Sequence, residues 1–310
     1  GLREHHQLDV GGVALQLGEG LHQVINFVCR QRQTKFGVGS QQRSDASFRH
    51  AVTLVQTGAI GAVSRVNAFV GPPPKPYDLA EEPVPADLNW DLWLGPLPGT
   101  IHYNRELNPP ISLDPPIDEE YWAGWRWYRE TGGGFTTDWG AHMFDIAQWG
   151  LGMDGSGPVE ISPVGDGSEF ISWKYANGVI MTSEPFNENK TRGVKFWGEK
   201  GWIEVSREHF AASDPALNPP QLAAATDEGP YETKIPHQLD FIEAVRKRID
   251  PVASVEKGHS SCTVCTLGNI AVALGRTIRW DPSTETFTDD SDGAATRMLH
   301  YNYRKPWKLV

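Results

Sequence analysis

Asp138 and His142 are the residues of this sequence whose types and spacing best suit proton transfer. Apolar residues recur at helical spacings from Trp139 to Trp149, which predicts a helix. Residues four positions apart lie on the same face of a helix, so both titratable side chains can point into one cavity. There they could move a proton or hold a ligand. The plainer alternative is an N-terminal helix charge followed by a partly buried histidine.

The residues that must position this pair come just before it in the chain. The glycines of Gly132–Gly134 permit a close approach of the backbone, and Thr136 or Thr137 could cap the first turn of the helix. A carboxylate in that first turn would lie at the positive end of the helix dipole and stay ionised. The sequence therefore predicts a glycine turn that presents an acid and an imidazole.

The composition restricts the partners and the compartment. The 310 residues carry a net charge of -11 without any run of Lys or Arg, which argues against nucleic acid and anionic membranes as partners. No apolar stretch approaches the roughly 18 residues that span a membrane. Cys29, Cys262 and Cys265 are odd in number, so no disulfide framework is expected and a reducing environment is compatible. The expected location is cytoplasmic, in a bacterium. Neutral or cationic small molecules are the easier ligands.

Strand and turn signals dominate the chain outside the central helix. Short runs predict strands at Val63–Val70, Val159–Val164, Phe170–Tyr175, Val179–Ser183, Val194–Trp197 and Trp202–Val205. Turn pairs at Asn177-Gly178 and Lys200-Gly201 separate some of them, which indicates an antiparallel meander. Such a sheet leaves one face free to pack elsewhere.

A long proline-rich segment, from Gly71 to Pro116, has almost no periodicity. A loop of this length inside a compact domain is either functional or disordered. Trp90, Trp93 and Tyr103 argue for an ordered loop, because disordered segments hold few aromatic residues. We expect the loop to wrap over the domain and reach the site. A surface excursion pinned by tryptophans is the open alternative.

Several motifs, taken in order, resemble those of the Gfo/Idh/MocA oxidoreductases, the glucose-fructose oxidoreductase and inositol dehydrogenase group. Each is weak alone, but the resemblance runs from about Glu19 to the last residue. The motifs are GSQQRS (Gly39–Ser44), FRHAVTLVQTGAIG (Phe48–Gly61), WDLWLGP (Trp90–Pro96), GGGFTTDWGAHMFDIAQW (Gly132–Trp149), FWGEKGWIEV (Phe196–Val205), EKGH (Glu256–His259), LGNIAVALGR (Leu267–Arg276) and YRKPW (Tyr303–Trp307).

The resemblance implies a fold and a site. Family members combine an N-terminal Rossmann domain that binds NAD or NADP with a C-terminal α+β domain. That second domain has a large, mostly antiparallel sheet with helices packed on one face, and its open face commonly mediates homo-oligomers. By resemblance, Asp138 and His142 contact the substrate, usually a sugar or cyclitol, and Gln42 and Arg43 of the QQR segment lie beside the same pocket.

Two departures from the family decide the domain prediction. Laying the patterns together puts Gly11-Gly12 where the family has a lysine beside the nicotinamide, and the glycine-rich nucleotide turn is missing. We therefore expect residues 1–38 to be a remnant or replacement segment with a helix and a short strand. Residues 39–310 are expected to form the C-terminal domain, with no complete Rossmann domain and no cofactor.

The first functional hypothesis is an enzyme that acts on a sugar or glycoside without NAD, as a hydrolase or lyase. Asp138 would serve as base or nucleophile, with His142 or Glu130 as the acid. The expected substrate contacts are Gln42, Arg43, Trp125, Tyr128 and His259.

Two further hypotheses remain open from the sequence. One is an NAD(P)-dependent sugar dehydrogenase whose nucleotide-binding half is absent or supplied by a partner chain. The other is a non-catalytic module that binds sugar or forms homo-oligomers through the open face of the sheet. A divalent metal on Asp138 and His142, with His259 or His237 as a third ligand, is a weaker alternative. Two ligands one helical turn apart do not by themselves make a metal site.

Overall fold

The computed structural model describes residues 34–109, 123–165, 169–207, 209–219, 234–300 and 302–307. The helix expected within residues 1–38 lies outside the described residues. The short strand expected there is reduced to one antiparallel bridge between Gly37 and Ser254. The domain boundary after residue 38 stays a prediction.

A single large sheet dominates the described part of the chain. Its strands are β1 (Val63–Phe69), β2 (Pro158–Val164), β3 (Phe170–Tyr175), β4 (Ile180–Thr182), β5 (Gly193–Gly198), β6 (Gly201–Val205), β7 (Phe210–Ala212), β8 (Ile278–Asp281) and β9 (Thr286–Phe287). They lie in the order β7-β6-β5-β1-β4-β3-β2-β8-β9. The β1–β4 pair is parallel, and the other pairs are antiparallel. The predicted mixed fold with a large, mostly antiparallel sheet is confirmed.

Helices cover one face of this sheet. In chain order, the helices of the described ranges are α1 (Ala46–Gln56), α2 (Trp90–Leu94), α3 (Gly134–Asp138), α4 (Gly140–Gly150), α5 (Lys234–Lys247), α6 (Val255–Leu274) and α7 (Ala294–Arg297), with 3-10 turns at Gln41–Ser44, Gly124–Trp127 and Pro215–Leu217. The α4 and α6 helices pack against each other and against the central strands. Trp173, fully buried beneath them, donates its indole N–H to the carbonyl of Val264 at 3.0 Å. No helix within the described ranges is long and apolar enough to cross a membrane.

The opposite face of the sheet carries an ordered layer of aromatic and charged side chains. Alternation along β5 and β6 turns Phe196 and Ile203 into the core and leaves their neighbours on this face. There the ammonium of Lys195 lies 4.5 Å from the Trp197 ring and 3.7 Å from the Trp202 ring. This open sheet face therefore holds its side chains in fixed positions through cation–π contacts.

The described part of the proline-rich loop, residues 71–109, is ordered and has a small apolar cluster of its own. Leu94, Ile101 and Leu107 are buried in this cluster together with Tyr128. From the far end of the chain, Arg304 donates to the carbonyls of Asp91 at 3.0 Å and Gly95 at 2.8 Å. The described part of the loop is thus stabilised by its own apolar cluster and by contacts with the C-terminal segment. The order that its aromatic content predicted is present there.

Candidate functional site

Asp138 lies at a break between two helices. It is the last residue of α3, and α4 begins two residues later at Gly140. Trp139 between them keeps helical angles (φ -84°, ψ -23°), so the two short helices run on almost continuously. The predicted position of Asp138 in the first turn of a single helix is wrong, because the helical path already begins at Gly134. The carboxylate therefore does not lie at a helix N-terminus.

The threonines before Asp138 do not cap a helix either. The α3 helix begins after Gly133, and that residue offers no side chain for capping. Thr137 instead donates its hydroxyl to the carbonyls of Gly132 at 2.5 Å and Gly134 at 3.0 Å. This bond fastens the glycine turn to the helix that follows, so the turn and Asp138 move as one unit.

The glycine turn is required by close packing, as predicted. Gly133 and Gly134 have φ of 79° and 70°, a left-handed conformation that other residues rarely adopt. A Cβ on Gly134 would lie 2.6 Å from the backbone nitrogen of Pro74, and one on Gly132 would lie 2.5 Å from the Cα of Arg126. The proline-rich loop therefore reaches the turn that leads into the site.

His142 lies in the first turn of α4 and is neutral. Its backbone N–H donates to the carbonyl of Trp139 at 3.0 Å. The side chain is partly exposed, but Nδ1 is shielded from solvent and has no hydrogen-bond partner among the described residues. Burial lowers the pKa of His142 to about 3, and the charge of Arg207 acts in the same direction. An uncharged imidazole at this position can accept a proton.

Three arginines surround Asp138, and we call them the arginine cluster: Arg126, Arg192 and Arg207. The Nε of Arg126 lies 3.5 Å from Oδ1 of Asp138. Desolvation lowers the pKa of both Arg192 and Arg207, while the charge of Asp138 opposes this shift. Both guanidinium groups lie against the Trp139 ring, Arg207 at 4.4 Å and Arg192 at 5.0 Å from its centroid. The site thus contains a carboxylate, a neutral imidazole and fixed positive charge.

Gln42, expected to contact a substrate, lies beside His142 and makes hydrogen bonds to other residues of the protein. Its amide nitrogen lies 3.4 Å from the carbonyl of His142 and 3.6 Å from the sulfur of Met143. Its amide oxygen accepts a hydrogen bond from Nε of Arg207 at 3.1 Å. Gln42 therefore links the α4 helix to the arginine cluster.

Arg43 was expected to contact a substrate, and its position corrects that expectation. Its side chain is only 1% exposed and is directed into the interior. The guanidinium donates to Asp145 at 2.8 Å and to Asp154 at 2.6 Å, and it lies over the Trp149 ring. Burial opposes its charged form, but the two carboxylates outweigh this and raise the pKa of Arg43. Arg43 holds α4 in place from behind and does not face solvent.

The structure also gives loop-anchoring contacts to three other expected site residues. Glu130, proposed as the acid, accepts a hydrogen bond from the backbone N–H of Tyr77 at 2.8 Å. Tyr128 is fully buried and donates its hydroxyl to Glu106 at 2.7 Å. Trp125 packs against the loop cluster and stacks under the guanidinium of Arg126 at 4.5 Å. Trp125 thus adjoins the arginine cluster, whereas the Glu130 and Tyr128 contacts fasten the proline-rich loop.

His259 lines a separate cavity of about 190 Å³ with Asp154 and Trp280, and Asp138 is not part of its wall. Its Nε2 lies 2.5 Å from the carboxylate of Glu285. Nδ1 of His237 forms a hydrogen bond with the Ser44 hydroxyl at 2.9 Å. Within the ranges that the structure covers, no three His, Cys, Asp or Glu side chains are grouped closely enough to hold a metal ion.

The sequence reasoning missed Arg192 and Arg207. Arg192 immediately precedes β5, and Arg207 follows β6 by two positions. Single arginines at strand ends are common surface residues, so no signal in the sequence distinguished them. Cys262 and Cys265 both lie in α6, and burial raises the pKa of Cys262 to about 12.

Comparison with known proteins identifies the family. Residues 75–309 match the family model described as the C-terminal alpha/beta domain of the Gfo/Idh/MocA oxidoreductase family. No curated protein matches this chain.

Solved structures of similar fold are oxidoreductases. Aldose-aldose oxidoreductase from Caulobacter crescentus, complexed with glycerol, is 18% identical with a TM-score of 0.51, over 84% of this chain and 69% of that one. Levoglucosan dehydrogenase in complex with NADH and levoglucosan is 15% identical with a TM-score of 0.53, over 84% of this chain and 70% of that one. Myo-inositol 2-dehydrogenase from Lactobacillus plantarum is 16% identical with a TM-score of 0.49, over 85% and 70%.

The hydrolase hypothesis is wrong. The match that covers most of the chain is to an oxidoreductase family, and the similar folds are those of oxidoreductases and dehydrogenases. Asp138 and His142 had suggested glycoside cleavage because an acid and a base serve both chemistries. With its sheet, its glycine turn and the match over residues 75–309, this chain belongs to the Gfo/Idh/MocA oxidoreductase family.

Proposed function

We propose that this protein takes part in the NAD(P)-dependent oxidation or reduction of a sugar or polyol, and that the described residues form its substrate site. The observation that carries this proposal is the match of residues 75–309 to an oxidoreductase family, in which Asp138 and His142 lie at the break between α3 and α4. Oxidation of an alcohol removes a hydride from carbon and a proton from oxygen. A neutral imidazole is the form that can accept that proton.

The glycine turn Gly132–Gly134 differs from a phosphate-binding turn in its packing. The stretch Gly132–Gly134 leads into a helix, as a phosphate-binding turn would, but it is buried and closely packed. Pro74 and Arg126 pack directly against these glycines, within 2.6 Å of where a Cβ on Gly134 or Gly132 would lie. We propose that the nucleotide is bound by residues outside the described ranges or by a partner chain.

Each residue of the site has a role in this proposal. His142 accepts or returns the proton of the reacting hydroxyl. Asp138, with Arg126 at 3.5 Å, is held at the edge of the site and accepts hydrogen bonds from substrate hydroxyls. Gln42 fixes the first turn of α4 through the carbonyl of His142. Trp139 and Trp125 offer apolar ring faces, against which the C–H face of a sugar can pack.

The test is nucleotide reduction by the protein purified from its native source with any chain that accompanies it. With a panel of sugars and polyols and NAD+ or NADP+, we expect absorbance of the reduced nucleotide to rise. The variants His142→Gln and Asp138→Asn should each lower kcat by about 100-fold or more, as loss of a general acid or base does. His209→Gln changes an exposed histidine and is the matched control.

Two results would contradict this proposal. The first is a preparation that binds sugars by calorimetry but reduces neither nucleotide with any member of the panel. The second is full activity in both His142→Gln and Asp138→Asn. The first result would favour the non-catalytic module, which binds sugar without turnover. The second would show that neither His142 nor Asp138 carries the chemistry.

We also propose that the protein forms homo-oligomers through its open sheet face. Support comes from the fixed layer of Lys195, Trp197 and Trp202, which presents aromatic surface at little further entropic cost. Sedimentation equilibrium should give a mass that is a multiple of 34.3 kDa. A monomer at all concentrations would refute this, and Trp202→Glu should shift the equilibrium toward monomer.

A further inference from the structure

Arg192 and Arg207, two members of the arginine cluster, each make a hydrogen bond through Nε of the guanidinium. Nε of Arg192 donates to the carbonyl of Val70 at 3.2 Å, and the group lies 4.7 Å from the Phe135 ring. Nε of Arg207 donates to Gln42, and its guanidinium lies against Trp139. Both side chains are exposed, and neither has a hydrogen bond from its terminal η nitrogens to another described residue. Each presents a free fork of N–H donors in a fixed orientation.

The local charge around these forks is positive. The cluster has three guanidinium groups, and the described carboxylates that act on them are those of Asp138 and Asp45. Asp45 is already engaged, because it caps α1 by accepting from the backbone N–H groups of Ser47 at 2.8 Å and Phe48 at 3.2 Å. A protein with a net charge of -11 thus concentrates positive charge at its candidate site.

We infer that the substrate of this site is an anionic sugar or polyol, and that Arg192 and Arg207 bind its carboxylate or phosphate. The inference rests on the proposed function and specifies its substrate class. A planar guanidinium fork matches the oxygens of either anion and forms charge-assisted hydrogen bonds with them. The polyol part then extends toward Asp138 and His142. The sequence-based expectation of neutral or cationic ligands considered the whole surface and not this site.

An anion on the forks would also favour proton transfer at His142. The charge of Arg207 is one of the two influences that hold His142 in its neutral form. Neutralising that charge removes a repulsion that the imidazolium would otherwise feel. Substrate binding would thereby make His142 a better base only when the anion is in place.

The test is isothermal titration of the whole chain with glucuronate, glucose 6-phosphate, glucose and inorganic phosphate. We expect one or both anionic sugars to bind at least 10-fold more tightly than glucose and than inorganic phosphate. The carboxylate and phosphate arms separate the two sources of negative charge. Arg192→Gln and Arg207→Gln should each weaken binding of the anionic sugar by about 10-fold or more, the loss of one charged hydrogen-bonding group. Arg246→Gln, on the exposed face of α5, is the matched control.

The outcomes separate this inference from the proposed function. Glucose binding as tightly as both anionic sugars, or unchanged anion binding in both arginine variants, would overturn the inference. Inorganic phosphate binding as tightly as the anionic sugars would reveal an adventitious ion only and would overturn it too. Nucleotide reduction with neutral sugars alone would leave the dehydrogenase in place and remove the anionic substrate. Arginine-dependent binding of an anionic sugar without any nucleotide reduction would support the anionic ligand and contradict the dehydrogenase.

Discussion

Removing the charge of Asp145 should destabilise the fold, because its partner Arg43 is enclosed in the interior. Arg43 makes five donor–acceptor contacts with Asp145 and Asp154. The side chains of Arg43 and Asp145 are each 1% exposed. Breaking such a pair leaves an uncompensated charge in the protein and costs about 3–5 kcal/mol. Since Asp154 still compensates part of that charge, we expect Asp145→Asn to lower the free energy of unfolding by about 3 kcal/mol.

A double-mutant cycle tests whether the cost comes from the unpaired charge. Arg43→Met alone leaves Asp145 with the Ser261 hydroxyl at 2.7 Å, so this variant should lose about 3–5 kcal/mol. In the double variant Arg43→Met, Asp145→Asn, neither charge of this buried pair remains. Asp154 has 28% of its side chain exposed and can be hydrated. The double variant should therefore lose less stability than the sum of the single losses.

Equilibrium unfolding in urea, followed by the fluorescence of the 12 tryptophans, measures these differences. Asp250→Asn is the control, because its side chain is 77% exposed and pairs with Lys35 at the surface. We expect that control to change the free energy of unfolding by less than about 1 kcal/mol. Losses of that small size in Asp145→Asn and Arg43→Met would refute the reasoning. Strict additivity in the double variant would refute it as well.

Three further predictions follow from single contacts. The ring signals of His142 should not titrate between about pH 5 and 8 in NMR spectra, and a midpoint near 6.5 would contradict the buried, neutral form. Gly134→Ala should cost about 3 kcal/mol or more in thermal unfolding, because φ of 70° strains an alanine and its Cβ would lie 2.6 Å from the backbone nitrogen of Pro74. Gly39→Ala, with open space around it, should stay within about 0.5 kcal/mol. Tyr175→Phe should cost about 1–3 kcal/mol in urea by leaving the Gln148 oxygen, its partner at 2.6 Å, unsatisfied; no change would refute this.

Much of the sheet could be predicted from local patterns. The predicted strand Phe170–Tyr175 matches β3, and the turn pair Lys200-Gly201 joins β5 to β6. Such elements depend on alternation and turn chemistry, which are visible within ten residues of sequence. The parallel pairing of β1 with β4 was not predictable in this way. It joins segments more than one hundred residues apart, and no local pattern specifies which strands become neighbours.

The sequence could indicate the titratable pair of the candidate site but not the arginines around it. Asp138 and His142 could be selected because a helical spacing and a glycine turn surround them. Arg43 could not be assigned correctly, since an arginine suits a substrate contact as well as a buried ion pair. Its partner Asp154 lies 111 positions away, so only the folded chain shows which applies. Arg207 could not be found for the same reason, as its contact with Gln42 spans 165 positions.

The hydrogen bonds of Arg304 to the carbonyls of Asp91 and Gly95 have a consequence for biosynthesis. The donor and its first acceptor are 213 positions apart, so these hydrogen bonds cannot form until translation has passed Arg304. A ribosome that makes about 5–20 residues per second would leave this loop without them for roughly ten seconds or longer. During that interval its tryptophans would be exposed to chaperones, and a nascent chain stalled before Arg304 would be the form most open to proteases.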